Sequence, residues 1–212
     1  MSRCTGWLVG LLAPMCLAAC VSIGSGGEAG PQVHHQLVDA AVAPTRRALP
    51  LVDALLIQPL PADALADTVS IAYSRRSHEF AFYQLASWTE RPVRQLPRLL
   101  QHRLESRGVA GAVGLLGEPL RADWLLTLAI DTLHHDVAAL PGQARLAVTV
   151  ELFDRRRPGR VARRSFAAIV TTSSADSAAA ATALSQAVGQ VFDDLLPWLE
   201  VELQRATAKP GP

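Results

Sequence analysis

Three runs place apolar residues at every second position: Trp124, Leu126, Leu128 and Ile130; Leu146, Val148, Val150 and Leu152; and Phe166, Ala168 and Val170. A period of two turns one side of an extended chain toward a core and the other toward water, so each run reads as a strand of a sheet covered on one face. The polar stretch Arg155-Arg156-Arg157-Pro158-Gly159-Arg160 separates the second run from the third, and these two are expected to pair as a hairpin around it. Its arginines read as a solvated turn, with docking to phosphate or carboxylate as the sharper alternative. Beyond the third run the period changes. Ala180, Leu184, Val188, Val191, Leu195 and Trp198 recur at helical spacing after Ser173-Ser174-Ala175-Asp176, whose side chains suit a helix start. Pro197 is expected to bend this helix near its end.

The earlier part of the chain repeats the mixture. Ala54 to Leu60 is an apolar run closed by Pro59-Leu60, Val69 to Tyr73 alternates, and Phe80, Phe82 and Leu85 suggest a further strand. These three side chains are expected in the core, with ligand contact as the lesser alternative. Leu96, Leu99, Leu100 and Leu104 form a helical stripe between Pro92 and Gly108, which are placed to start and stop a helix; Pro97 must lie near the first turn or kink it. Arg91, Arg94, Arg98, Arg103 and Arg107 occupy its polar side and read as a solvated face, the alternative being contact with an acidic partner or lipid headgroups. The expected fold is a single α+β domain, a mostly antiparallel sheet with two principal helices packed on it.

A length of 212 residues suits one domain, and 50% hydrophobic against 18% charged residues, with mean hydropathy +0.20, excludes a disordered chain. The formal net charge is only +1, which removes the basic surplus that nucleic-acid binding requires.

Cys4, Cys16 and Cys20 all lie in the first twenty residues, so the rest of the chain has neither a disulfide framework nor a cysteine zinc site. Arg3, the apolar run Trp7 to Ala13 and the small residues before Cys20 have the layout of a secretory signal peptide, too short for a membrane-spanning helix. Leu17-Ala18-Ala19-Cys20 resembles the bacterial lipobox, in which a diacylglyceryl group is attached to the cysteine thiol and the chain is cut just before it. Cys20 is therefore the expected lipidation site, carrying diacylglyceryl and an N-linked acyl chain such as palmitate, with no other cofactor. The expected organisation is a signal peptide at 1–19, lipidated cysteine and flexible tether at 20–36, a folded domain at 37–206 and a disordered tail at 207–212. Val21, rather than Asp, after Cys20 resembles the pattern forwarded to the outer membrane, with the domain facing the periplasm; inner-membrane retention is the alternative.

Motifs of catalysis are missing. There is no Gly-x-Ser-x-Gly elbow, no phosphate-binding Gly-x-x-x-x-Gly-Lys loop and no His-Glu-x-x-His helix. His34-His35 and His134-His135 are adjacent pairs whose members face opposite sides of a strand, so neither is a two-ligand clamp and no metal site is expected. A hydrolase using His134, His135 or Asp136 is a distant reading.

Ile71 and Tyr73, then Trp88, Glu90 and Pro92 leading into the leucine helix, then Glu151-Leu152-Phe153-Asp154, follow the lipobox in an order that resembles the ABC-type transport auxiliary lipoprotein family. His34-His35-Gln36-Leu37 stands where that family commonly has an aromatic pair before Leu, and Ser87 where it often has Arg. The resemblance implies a non-catalytic subunit that helps an MCE-type (mammalian-cell-entry) transporter, with its ABC permease and ATPase, move phospholipid or another hydrophobic cargo across the periplasm and supports outer-membrane integrity. By analogy with ring-shaped MCE partners it also implies a homo-oligomer. A lipoprotein chaperone or assembly factor for outer-membrane components is the alternative. Tyr73, Trp88 and Glu90 are the candidate partner-binding residues, although a Trp at a strand-to-helix turn also suits a core.

Overall fold

The computed structural model describes residues 31–208, which form β1 (Val33–His35), β2 (Val52–Pro59), β3 (Ser70–Arg76), β4 (Glu79–Trp88), α1 (Pro92–Arg107), β5 (Ala110–Leu115), β6 (Trp124–Asp136), β7 (Gln143–Asp154), β8 (Arg160–Thr171) and α2 (Ser177–Ala208). The signal peptide, Cys20, residues 21–30 of the tether and residues 209–212 of the tail lie outside the described residues. Among the described residues no helix is long and apolar enough to cross a membrane.

The alternating runs become β6, β7 and β8, joined by the longest antiparallel ladders of the sheet. Leu146, Val148, Val150 and Leu152 are fully buried, and their sequence neighbours face the opposite side, as a period of two dictates. The expected hairpin forms around the arginine-rich turn. The rest of the sheet is mixed. β2 lies parallel to both β5 and β6, β1 parallel to β4, and β3 antiparallel to β4, giving the order β1-β4-β3-β6-β2-β5 with β7 and β8 on the other side of β6. One edge of β6 is therefore shared: β2 pairs with Trp124–Leu128, and β3 with His135 and Asp136.

Both helices pack on one face and close a single core. In α1, Leu96, Leu100 and Leu104 are buried, and the chain leaves through Gly108 at φ 71, whose N–H donates to the carbonyls of Leu104 and Glu105. Pro97 sits inside the helix, in its second turn, where it supplies no N–H to the ladder. In α2 the predicted stripe is buried down to Leu195, and Asp176 caps the start by accepting from the Ala179 N–H at 2.9 Å. The helix continues past Pro197 to Ala208.

The polar side of α1 departs from the solvated face expected of it. Arg91, Arg94 and Arg98 are exposed, but Arg103 is buried against Asp39 at 3.3 Å and Asp193, and donates to the Val42 carbonyl at 3.0 Å. Arg107 reaches Glu200 of α2 at 2.6 Å. The cause is the segment between β1 and β2, which lies across both helices: the Val38 N–H donates to Ser185 Oγ, Ala40 to the Ser185 carbonyl and Arg47 to the Arg107 carbonyl. Gly189 admits the crossing, since a Cβ there would stand 2.8 Å from the Ala41 nitrogen.

Candidate functional site

Tyr73, the first of the candidate partner-binding residues, lies on the β3–β4 hairpin, and that hairpin carries the most exposed apolar surface near it. Phe80 is 46% exposed, Phe82 37% and Leu85 51%, so the core placement expected of them is corrected. The reason lies in the topology. β4 is covered on its outer edge by β1 only at Ala86–Trp88; among the described residues no strand pairs with that edge between Glu79 and Leu85, while β3 holds the other edge. Apolar residues at consecutive positions, Phe82 with Tyr83, cannot all face one core.

A bulge in β6 sets the chemistry behind the hairpin. The ladder with β7 shifts register between Ile130 and Thr132, so buried positions change from Leu126, Leu128 and Ile130 to Leu133 and His135. His135 is thereby turned inward and His134 outward. Tyr83 lies across His135, its hydroxyl 2.8 Å from Nδ1, while Phe80 meets His134 edge-on with centroids 5.1 Å apart. Neighbouring residues on a strand face opposite ways, so the hairpin presents aromatic rings on both sides of the sheet.

The hydrogen bonds fix the tautomer of His135. Thr172 Oγ1 donates to the Pro141 carbonyl at 2.8 Å, which leaves it to accept from Nε2–H of His135 at 3.1 Å. Nδ1 is then the acceptor for the Tyr83 hydroxyl. Burial lowers the pKa of His135 and of His134 below the ordinary 6.5, and Tyr83 is pushed up to about 12, by burial first and the Asp176 charge second. The cluster is a neutral, fully bonded prop for the hairpin. Asp136, the third residue of the distant hydrolase reading, is held by Arg145 at 2.9 Å.

In front of this prop, Tyr73 packs on Tyr83 with centroids 4.8 Å apart, and the Arg75 guanidinium lies 5.4 Å above the Tyr73 ring. With Phe82, Gln84 and Leu140 they line a cavity of about 300 Å³. Its lining combines aromatic faces, two phenol hydroxyls, of which that of Tyr83 is taken up by His135, and an arginine. Trp88 and Glu90 lie elsewhere. Trp88 is 1% exposed in the core under α1, and a side chain so enclosed has no free surface for a partner; Glu90 is half-exposed at the entry to α1, where it accepts from the Arg91 N–H. The three candidates thus do not form one site; Phe82, for which ligand contact was the lesser alternative, lines the cavity beside Tyr83 and Leu140, to which sequence reasoning assigned no role. Arg75-Arg76 beside a doubly apolar strand was the available signal.

The arginine-rich turn is exposed, as expected, but its charges are met internally. Arg156 binds Asp154 at 2.9 Å and Asp123 at 3.4 Å, Arg160 binds Glu151 at 2.7 Å, and Arg155 donates to the Ala122 carbonyl. These contacts border a wider cleft of about 730 Å³ that mixes Arg121, Arg155 and Arg156 with Asp53 and Asp123. Among the described residues no three His, Cys, Asp or Glu side chains are grouped to hold a metal ion.

The sequence profile of the ABC-type transport auxiliary lipoprotein component family matches residues 35–195. No curated protein sequence matches the chain. Among solved structures, the chain is similar to protein XCC0632 from Xanthomonas campestris, with TM-score 0.72 and 23% identity over 82% of this chain and 99% of that one. It is also similar to an uncharacterized protein at TM-score 0.62 and 15% identity, covering 80% of this chain and 99% of that one. At these identities the likeness is one of fold.

Proposed function

The chain belongs to the ABC-type transport auxiliary lipoprotein family, and from that membership we propose that it is a non-catalytic subunit held to a membrane through acyl chains on Cys20. Its partner in this reading is an MCE-domain protein with an ABC permease and ATPase, and its task is to help pass phospholipid or another hydrophobic cargo across the periplasm and maintain the outer membrane. The family match across residues 35–195 carries the proposal. The lipobox-like Leu17-Ala18-Ala19-Cys20 supports the anchor, Val21 supports the outer membrane as its destination, and acyl chains contribute about 0.8 kcal/mol per buried CH₂. An anchored subunit needs only a docking surface, because confinement at the membrane raises its effective concentration beside a partner.

The test is affinity capture of a C-terminally tagged copy from mild-detergent extracts of its native host, with mass spectrometry of proteins and lipids. Recovery of an MCE-domain protein with its permease is expected; recovery of outer-membrane assembly proteins alone overturns the transport role. Cys20→Ser is expected to leave the membrane fraction, and its retention there with function intact overturns the anchor.

A further inference from the structure

The exposed end of the β3–β4 hairpin combines three features. Phe80 and Phe82 stand out from β4, and Leu140, 80% exposed in the loop after β6, joins Phe82 along the same cavity. Arg75 and Arg76, both exposed, flank them; Arg76 has only a 3.8 Å contact with Glu79, and Arg75 lies over Tyr73. Large apolar side chains beside arginines and tyrosines match the boundary between lipid headgroups and acyl chains, where apolar side chains enter, phenols stay at headgroup level and guanidinium groups meet phosphate.

The third feature is direction. β1 runs parallel to β4, with Val33 level with Ala86, so the chain enters the fold travelling from the Glu79 side toward Trp88. Glu79 lies roughly 23 Å from Ala86 along the strand at the usual rise. A fully extended chain from Cys20 to Val33 reaches at most roughly 45 Å. An acyl anchor at Cys20 therefore keeps the entry to β1 within that distance of a bilayer, and the hairpin end lies on the side from which the chain arrives.

From this we infer that the end of the β3–β4 hairpin, with Leu140 beside it, docks on the surface of a phospholipid bilayer containing anionic lipid and fixes the orientation of the domain. The inference rests on the lipid-anchor reading for its geometry. Arg75 and Arg76 meet phosphate groups, Phe80, Phe82 and Leu140 enter the acyl boundary, and the arginine-rich turn at the other end of the sheet faces away.

The test uses the full acylated chain in vesicles of phosphatidylethanolamine with and without phosphatidylglycerol. No cysteine follows Cys20, so once Cys20 is acylated a single introduced thiol is labelled selectively. An environment-sensitive fluorophore is placed at Ser77→Cys, in the hairpin turn, or at Pro158→Cys, in the turn after β7. Quenchers carried on lipid acyl chains are expected to remove most of the Ser77 signal in anionic vesicles and leave the Pro158 signal unchanged. Phe80→Ser with Phe82→Ser is expected to abolish that quenching while the chain still floats with the vesicles. Equal lipid quenching at both positions, or none at Ser77, overturns the inference. So does shielding of Ser77 from an aqueous quencher without lipid quenching, which assigns the surface to a second copy. An intact mass without acyl groups sinks the anchor reading alone, because concentrated anionic vesicles still probe the hairpin through the Ser77 label.

Discussion

Arg103 of α1 donates to the Val42 carbonyl while its guanidinium lies 3.3 Å from Asp39, so one buried cation fastens the segment between β1 and β2 onto the helix layer. Asp193 of α2 completes the arrangement. A buried guanidinium in contact with two carboxylates and a carbonyl is stable only while those partners remain.

Arg103→Met is therefore expected to lower unfolding free energy by about 2–3 kcal/mol, below the usual range for breaking a buried pair because Asp193 is largely exposed and screened. Adding Asp39→Asn to Arg103→Met should recover part of the loss, since it removes the carboxylate left without its partner. Urea unfolding of the single and double variants measures the coupling directly; strictly additive losses would show that the two residues act independently.

Trp88→Ala is expected to cost about 3–5 kcal/mol through the cavity it leaves. Trp88→Phe should cost only about 1 kcal/mol, because the buried indole N–H has no hydrogen-bond partner and its removal offsets lost packing. If Trp88 acts through the core alone, Trp88→Phe captures partners as the parent does. A folded Trp88→Phe chain that loses partner capture would return the residue to the interface.

His135 should make the fold acid-sensitive above the carboxylate range. Its folded pKa is depressed by burial, so the unfolded chain binds the proton more readily. Stability is fully present above the ordinary value of 6.5 and falls as pH drops from there toward the lower folded value. Asp136, Asp154 and Asp176, whose values are lowered by hydrogen bonds, add a second loss only as pH falls below their ordinary 3.8. Unfolding free energy measured from about pH 7 to pH 5 should vary less in His135→Asn than in the parent; an unchanged slope would remove His135 as its source. Tyr83→Phe, which leaves Nδ1 without its donor, should cost about 1–3 kcal/mol at neutral pH.

Gly189→Ala is expected to destabilise the chain although alanine favours helices by about 1 kcal/mol. The new Cβ would meet the Ala41 nitrogen at 2.8 Å and its Cβ at 2.9 Å, and backbone cannot yield as a flexible side chain would. Overpacking of about 1–3 kcal/mol should outweigh the gain. Thermal unfolding, with protease cleavage near Ala41 as a local readout, checks it; a higher midpoint with no new cleavage would mean the segment lies farther from α2.

Much of this architecture was legible because it is periodic. The β7–β8 hairpin, α1 with its Gly108 stop and the α2 stripe follow from spacing that each segment carries within itself. What spacing does not carry is which element covers a residue. Phe80 and Phe82 look like core residues until β1, the strand on the outer edge of β4, turns out to reach only Ala86–Trp88. Arg103 and Arg98 are alike in sequence, and only the strap over α1 separates the buried one from the exposed one. The parallel pairing of β2 with β5 and β6 joins segments whose order in the chain leaves no local mark. Cross-strand partners also escape alternation once a bulge intervenes, as in β6, where the phase shift decides that His135 rather than His134 supports Tyr83.

The shared edge of β6 has a dynamic consequence. β3 pairs with β6 at Tyr73 with His135 and Ser74 with Asp136, continued by the Val137 N–H donating to the Ser74 carbonyl, because β2 occupies the earlier part of that edge. At its other end the hairpin is rooted by Trp88 in the core and by the Trp88 N–H on the Val69 carbonyl. Amides of β4 from Glu79 to Leu85 should exchange with solvent through local opening, well before those of β7, while the base stays protected. A tip that loosens without unrooting its base adapts its aromatic side chains to what it meets at little free-energy cost.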